Sequence, residues 1–70
     1  MNKVKEFNYV NGLGVPKKLI VSPMNEDGKY PFELREMLHG EWCGAGEFTP
    51  EKLDEWLTHY GLDNPFANKH

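Results

Sequence analysis

The stretch "YPFELREMLHGEWCGAGEFTPEK" (residues 30–52) decides how the second half of this 70-residue chain folds. Pro31 suits the first turn of a helix, because a helix does not use the N–H that proline lacks. Three apolar residues then recur at the i, i+3, i+4 spacing of one helix face: Leu34, Met37 and Leu38. This spacing predicts a helix over about 31–39 that stops at Gly40, or runs on to end at Gly44.

The residues after this first helix indicate a loop. Four small residues allow the chain to turn there: Gly40, Gly44, Ala45 and Gly46. Trp42 is then a large aromatic residue on a glycine-flanked loop, and Cys43 beside it is the single cysteine of the chain. Loops of this kind tend to carry function, whereas the helices they connect carry stability.

The second helix has the clearest start and stop signals in the chain. Thr49 is a good N-cap and Pro50 a good first helical residue, while Phe48 and Leu53 are spaced as a hydrophobic staple. Its apolar stripe consists of Leu53, Trp56, Leu57 and Tyr60. Gly61 can adopt the left-handed conformation that ends a helix, with Leu62 folding back onto Leu57. These signals predict a helix over about 50–60.

The N-terminal part predicts a β-hairpin over about 4–22. "VKEFNYV" (4–10) and "KKLIVS" (17–22) are rich in β-branched and aromatic residues, with Leu19, Ile20 and Val21 as the buried centre of the second strand. Asn11-Gly12 suits a tight turn, although Gly14 and Pro16 indicate a longer loop. The predicted fold is therefore α+β, a two-stranded antiparallel hairpin packed against two helices (ββαα), in one small domain over 1–70 with an irregular tail over 63–70.

Composition limits the class of protein. Residues 1–18 have a net charge of +3 and residues 19–70 a net charge of −6, so a basic arm joins an acidic body. This asymmetry favours self-association or a polar partner surface, or is simply solvated charge. One cysteine cannot form an internal disulfide, and no run approaches the roughly 20 apolar residues that span a bilayer. We expect a cytoplasmic protein with no membrane segment and no cofactor.

Cys43 is the first candidate for chemistry. "WCGAG" (42–46) resembles the first half of the thioredoxin-type redox motif, but Gly46 replaces the second cysteine. That motif also needs its cysteine at a helix N-terminus, whereas the predicted Cys43 follows a helix. A zinc site could combine His39, Cys43 and His59 with Glu55, yet the paired ligand knuckles of structural zinc sites are missing. We therefore assign no metal and no catalytic residue, and interpret Cys43 as an ordinary thiol.

The sequence also argues against enzyme activity and against nucleic-acid binding. Two helices and a hairpin do not form a water-excluding cleft of ordinary size. The exposed acids Glu51, Asp54 and Glu55 on the second helix would repel phosphates. The spacing between the two helices is also too long for a helix-turn-helix.

Protein binding is the function class that remains. We expect a small non-enzymatic protein that inhibits or adapts a larger partner, of the kind that bacteriophages and mobile elements encode. A structural subunit, or a homodimer formed through a sheet edge, is the first alternative, and a metal- or thiol-dependent protein around Cys43 is the second. The candidate partner-binding residues are Trp42, Phe7, Tyr9, Lys17 and Lys18, because large aromatic side chains most often dominate binding energy.

Overall fold

The computed structural model describes residues 4–66 and contains a four-stranded antiparallel sheet and one helix. The strands are β1 (Lys5–Val10), β2 (Pro16–Val21), β3 (Tyr30–Glu36) and β4 (Trp42–Phe48), and the helix is α1 (Pro50–His59). The strands lie in the order β1-β2-β3-β4, so each strand pairs with its neighbour along the chain.

The prediction of a ββαα fold is wrong in residues 30–48. The segment expected to form the first helix is β3, and the segment expected to be a loop is β4. Tyr30, Phe32 and Leu34 alternate along β3 and all pack on the core, which is the period of a strand. β4 pairs with β3 from Tyr30↔Phe48 to Leu34↔Gly44. Pairing with β2 on one side and β4 on the other overrides the helix preference of Leu, Glu, Arg and Met in this segment.

The core lies between one face of the sheet and α1. Its buried members are Leu19, Val21, Tyr30, Leu53 and Leu57. Leu19 and Val21 alternate on β2, while Leu53 and Leu57 are four residues apart on α1, so the two periodicities bring the four side chains together. In the predicted stripe, Leu53, Leu57 and Trp56 therefore face the core as expected, whereas Tyr60 follows α1 and packs on the rings of Tyr9 and Trp56.

Three residues assigned to the core by sequence lie elsewhere. Ile20 is half-buried on the other face of the sheet, since it alternates with Leu19 and Val21. Met37 and Leu38 are exposed, because they follow β3 in the turn rather than lying on a helix. We call the face of the sheet away from α1 the open face, since no element among residues 4–66 covers it.

The predicted helix ends are confirmed. The Thr49 hydroxyl accepts a hydrogen bond from the Lys52 N–H at 3.1 Å, and Phe48 packs on the core to which Leu53 belongs. At the other end Gly61 has φ +70°. The Leu62 N–H donates to the Leu57 carbonyl at 2.8 Å, which is the long bond of a Schellman motif.

The first part of the tail after α1 packs back onto the sheet. Phe66, in the tail predicted to be irregular, packs against Tyr30 with ring centroids 4.9 Å apart. Residues 67–70 of that predicted tail lie outside the described part of the chain. Between residues 4 and 66 the structure contains no helix with the length and apolar character needed to cross a membrane.

Candidate protein-binding surface

One end of the sheet carries a group of exposed apolar side chains. The turn between β1 and β2 and the turn between β3 and β4 both lie at this end, because the four strands form an up-and-down meander. The exposed side chains at this end are Val10, Leu13, Met37, Leu38 and Trp42, and we call them the apolar end. Single exposed apolar residues are normal on a protein surface, but several together indicate an interaction site.

The β1–β2 turn holds Leu13 outward. The Asn11 side chain accepts hydrogen bonds from the backbone N–H groups of Leu13 at 2.9 Å and Val15 at 3.0 Å. Gly14 has φ +80°, a conformation that favours glycine. The Asn11-Gly12 pair does not form the predicted tight turn with two positive φ angles; the longer loop indicated by Gly14 and Pro16 is present. Leu13 is 89% exposed at its tip.

The β3–β4 turn presents Leu38 in the same way. The Gly40 N–H donates to the Glu36 carbonyl at 2.7 Å, and the Glu36 N–H donates to the Glu41 carbonyl at 2.8 Å. The Arg35 guanidinium donates to the Gly40 carbonyl at 2.8 Å. Leu38 is 78% exposed between these anchored positions.

A backbone hydrogen bond joins the two turns. The Met37 N–H donates to the Pro16 carbonyl at 3.3 Å, so the start of the second turn lies beside the end of the first. The two turns that carry Leu13 and Leu38 are therefore neighbours at this end of the sheet.

Trp42 lies in a strand and not in the predicted loop. Leu34 pairs with Gly44 while Arg35 pairs with Trp42, so Cys43 is the extra residue of a β-bulge. Because Arg35 belongs to the open face, this pairing places Trp42 there too. Trp42 is 62% exposed.

Phe7 and Tyr9 lie on the covered face of the sheet, away from Trp42. Both pack on the core from β1. The Tyr9 ring lies 4.7 Å from the rings of both Trp56 and Tyr60. Burial, with smaller contributions from Tyr60 and Cys43, raises the pKa of the Tyr9 phenol above its ordinary value. These contacts give both residues a structural role, so the structure does not bring them together with Trp42.

Lys17 and Lys18 point to opposite faces, as neighbours on a strand must. The Lys17 ammonium lies 3.4 Å from the Cys43 sulfur on the covered side. The Lys18 ammonium pairs with the Glu6 carboxylate at 3.2 Å on the open face. Only Lys18 shares a face with Trp42.

The residues of the hypothetical zinc site lie on three different elements. His39 is exposed in the β3–β4 turn, with its Nε2 atom 3.9 Å from the Glu36 carboxylate. Cys43 is exposed in β4, and His59 stacks edge-on against Tyr60 on α1. Within residues 4–66 no three His, Cys, Asp or Glu side chains converge as metal ligands. The argument that Cys43 follows a helix is wrong, because Cys43 lies in a strand.

A second surface feature lies beside α1. A cavity of about 450 Å³ is lined by Phe48 at the end of β4 and by five residues of α1 and its C-terminal end: Lys52, Glu55, Trp56, His59 and Tyr60. The Trp56 ring lies 4.6 Å from Tyr60 and 6.2 Å from Phe48, so aromatic rings form much of the wall.

Comparison of this chain with protein families, curated proteins and solved structures finds no match.

Sequence reasoning named Trp42 as a candidate contact residue but did not name the other members of the apolar end. Leu13 was detectable, since it lies between two glycines in the predicted turn after the first strand. Leu38 was instead assigned to a helix face, and Leu13 fitted no periodic pattern.

Proposed function

We propose that this chain is a small non-enzymatic protein that binds a larger partner protein through the apolar end and inhibits or adapts it. The single observation that supports this proposal is the exposure of Leu13, Leu38 and Trp42 at one end of a fold with so small a core. Removing such side chains from water on binding contributes about 25 cal/mol per Å² of apolar surface.

A protein partner suits the charges around this end better than a membrane does. Arg35 pairs with Trp42 across β3 and β4, and Lys18 pairs with Arg35 on the strand beyond. Each cation already has an acidic partner, Glu33 for Arg35 and Glu6 for Lys18. Membrane-binding surfaces use unpaired cations against anionic lipid. A surface of mixed, internally paired charge around apolar residues is typical of protein interfaces, with an apolar centre and a polar rim.

Site-specific crosslinking tests this proposal. A photo-reactive amino acid at position 38 is expected to capture one partner in cells of the source organism, whereas the same group at position 26, in the turn at the opposite end, captures none. The double variant Leu13→Ser, Trp42→Ala is expected to lose the capture while keeping its circular dichroism spectrum.

Two results would contradict the proposal. Equal crosslinking from positions 38 and 26 would show that the apolar end is not the interface. Sedimentation of the wild-type protein with anionic lipid vesicles, lost in the double variant, would assign this end to a membrane. A crosslinked homodimer would instead support the structural-subunit alternative.

A further inference from the structure

The outer edge of β4 is a second candidate interaction surface, distinct from the apolar end. β4 pairs with β3 on one side, and among residues 4–66 no strand pairs with its other side. An unpaired edge presents rows of backbone N–H and C=O groups to which another strand can bind. Natural edges are usually protected by charged residues, proline or bulges.

The hydrogen-bonding pattern identifies which groups are free. The Pro31 carbonyl accepts from Ser22, so Pro31 faces β2 and the neighbouring Phe32 faces β4. Phe32 pairs with Gly46, and the alternation therefore directs the backbone groups of Ala45 and Glu47 away from the sheet. The bulge at Cys43 protects the start of β4, which leaves 44–48 as the open segment.

Gly44, beside the bulge, leaves open space next to this edge. A Cβ atom on Gly46 would come within 3.0 Å of the Phe32 ring, so glycine is needed there. A Cβ atom on Gly44 would meet nothing within 4 Å, and Gly44 has no positive φ angle. Glycine within a strand often marks a bulge or a place where another backbone approaches closely. The bulge occupies the neighbouring residue, and the space above Gly44 on the covered face remains open.

The surroundings of this edge specify the chemistry of an incoming strand. Residues 42–60 carry four acids and one lysine, a net charge of −3, which favours a basic partner. The cavity that begins at Phe48 has walls of Trp56 and Tyr60, which favour an apolar side chain. On the open face the Glu47 carboxylate lies beside the edge, accepts a hydrogen bond from the Asn25 side-chain amide at 3.0 Å, and would pair with a cation. The other three acids lie on α1, on the covered side of the sheet.

A second copy of this chain fits the edge poorly. Two paired β4 strands would bring two segments of net charge −3 together, and like charges facing each other are unfavourable. Above Gly44 on the covered face there is open space. A partner strand with large side chains at alternate positions would fill that space.

We infer that the 44–48 edge of β4 accepts an extended basic segment of a partner protein as a fifth strand. Its cationic side chains lie on the open face near Glu47, and its apolar side chains lie on the covered face above Gly44 and towards the cavity beside Phe48. This inference rests on the proposed protein-binding function and adds a second contact of defined chemistry.

A synthetic peptide tests the inference without knowledge of the natural partner. The probe is a capped peptide with lysine at every odd position and valine or phenylalanine at every even position. Binding is expected to slow amide hydrogen exchange at Ala45 and Glu47 by about tenfold or more, because those N–H groups or their neighbours become part of a ladder. A peptide with N-methyl groups on the lysine backbone keeps the charge and side chains but cannot pair, and is expected to bind at least about tenfold more weakly.

Variants of the protein provide the second arm. A Cβ atom at position 44 meets nothing within 4 Å, so Gly44→Val is expected to keep the fold, occupy part of the open space and weaken peptide binding about fivefold or more. Ala45→Pro removes a backbone N–H that points outward and is expected to weaken peptide binding more than Gly44→Val does. Ala45→Val keeps this N–H and is expected to retain peptide binding. Trp42→Ala, at the apolar end, is expected to leave peptide affinity unchanged.

Three outcomes would overturn the inference: equal binding of the N-methylated peptide, equal binding of a peptide with glutamate in place of lysine, or exchange protection confined to β1. Loss of peptide binding with crosslinking from position 38 intact would refute this edge site alone. Peptide binding at β4 without any capture from position 38 would refute the apolar end and leave the edge site standing.

Discussion

The ring of Phe32 lies against Gly46 so closely that a Cβ atom there would approach the Phe32 Cζ atom to 3.0 Å. The ring cannot move freely, because it stacks on Phe48 with centroids 4.2 Å apart. These three residues pack together between β3 and β4 on the covered face, close to the start of α1.

We expect Gly46→Ala to destabilise the protein by about 1–2 kcal/mol, since the added methyl group displaces the Phe32 ring from its stack. Gly44→Ala is the matched control, because a methyl group there meets nothing within 4 Å. Chemical denaturation of both variants measures the difference. Equal unfolding free energies would show that the Phe32 ring yields at no cost.

We expect Thr49→Ala to lower the unfolding free energy by about 1 kcal/mol, because the Lys52 N–H loses its side-chain acceptor. Thr58→Ala, on the exposed face of the same helix, is the control and should change stability little. Thermal melts of the two variants decide the point: coincident curves would mean that the Thr49 hydroxyl does not contribute to capping.

The two tryptophans are expected to behave oppositely. Trp56→Ala removes the ring that contacts Tyr9, Tyr60 and Phe48 and should destabilise the protein by about 3 kcal/mol. Trp42→Ala should change stability by less than about 0.5 kcal/mol, because its side chain is largely in solvent. Iodide quenching of single-tryptophan variants is an independent check, and a Trp42 that iodide cannot reach would contradict this assignment.

Stability is expected to fall in alkali because of Tyr9. Its raised pKa means that the folded protein holds the phenol proton more tightly than the unfolded chain does. The resulting stabilisation is complete below about pH 10 and is lost as the pH rises through the raised pKa. Tyr9→Phe should therefore make the unfolding free energy less dependent on pH above about pH 10. Parallel pH profiles for the two proteins would exclude this contribution.

Cys43→Ser is expected to leave the unfolding free energy within about 0.5 kcal/mol of the wild-type value, since the thiol is exposed and its contact with Lys17 is a surface one. Partner capture from position 38 should also survive. Loss of capture in the serine variant would support the thiol-dependent alternative.

Sequence reasoning succeeded where the signals are local. Thr49, Pro50 and Gly61 determine the ends of α1 through bonds within a few residues, and Leu19 and Val21 follow the alternation of a strand. The sequence also contains the alternating pattern of β3, since Tyr30, Phe32 and Leu34 are large apolar residues at every second position.

Residues 30–48 were misassigned because one residue fitted two patterns. Leu34 belongs to the strand alternation with Tyr30 and Phe32, and also to a helical spacing with Met37 and Leu38. Pro31 is compatible with the first turn of a helix and also with the start of a strand, where proline is tolerated. Pairing with neighbouring strands decides which of the two patterns is realised. The sequence of one segment does not show which other segment will pair with it. The apolar end was missed for the same reason, since it depends on two turns meeting.

The meander order has a consequence for how the chain is made. Every strand pairs with the one synthesised just before it, so the sheet can assemble stepwise through contacts of short range, which favours rapid folding. The helix α1, whose Leu53 and Leu57 cover Leu19 and Val21, follows all four strands in the chain. During translation the nascent sheet therefore exposes its apolar side until α1 has emerged from the ribosome, and this interval is when the protein is most prone to aggregate.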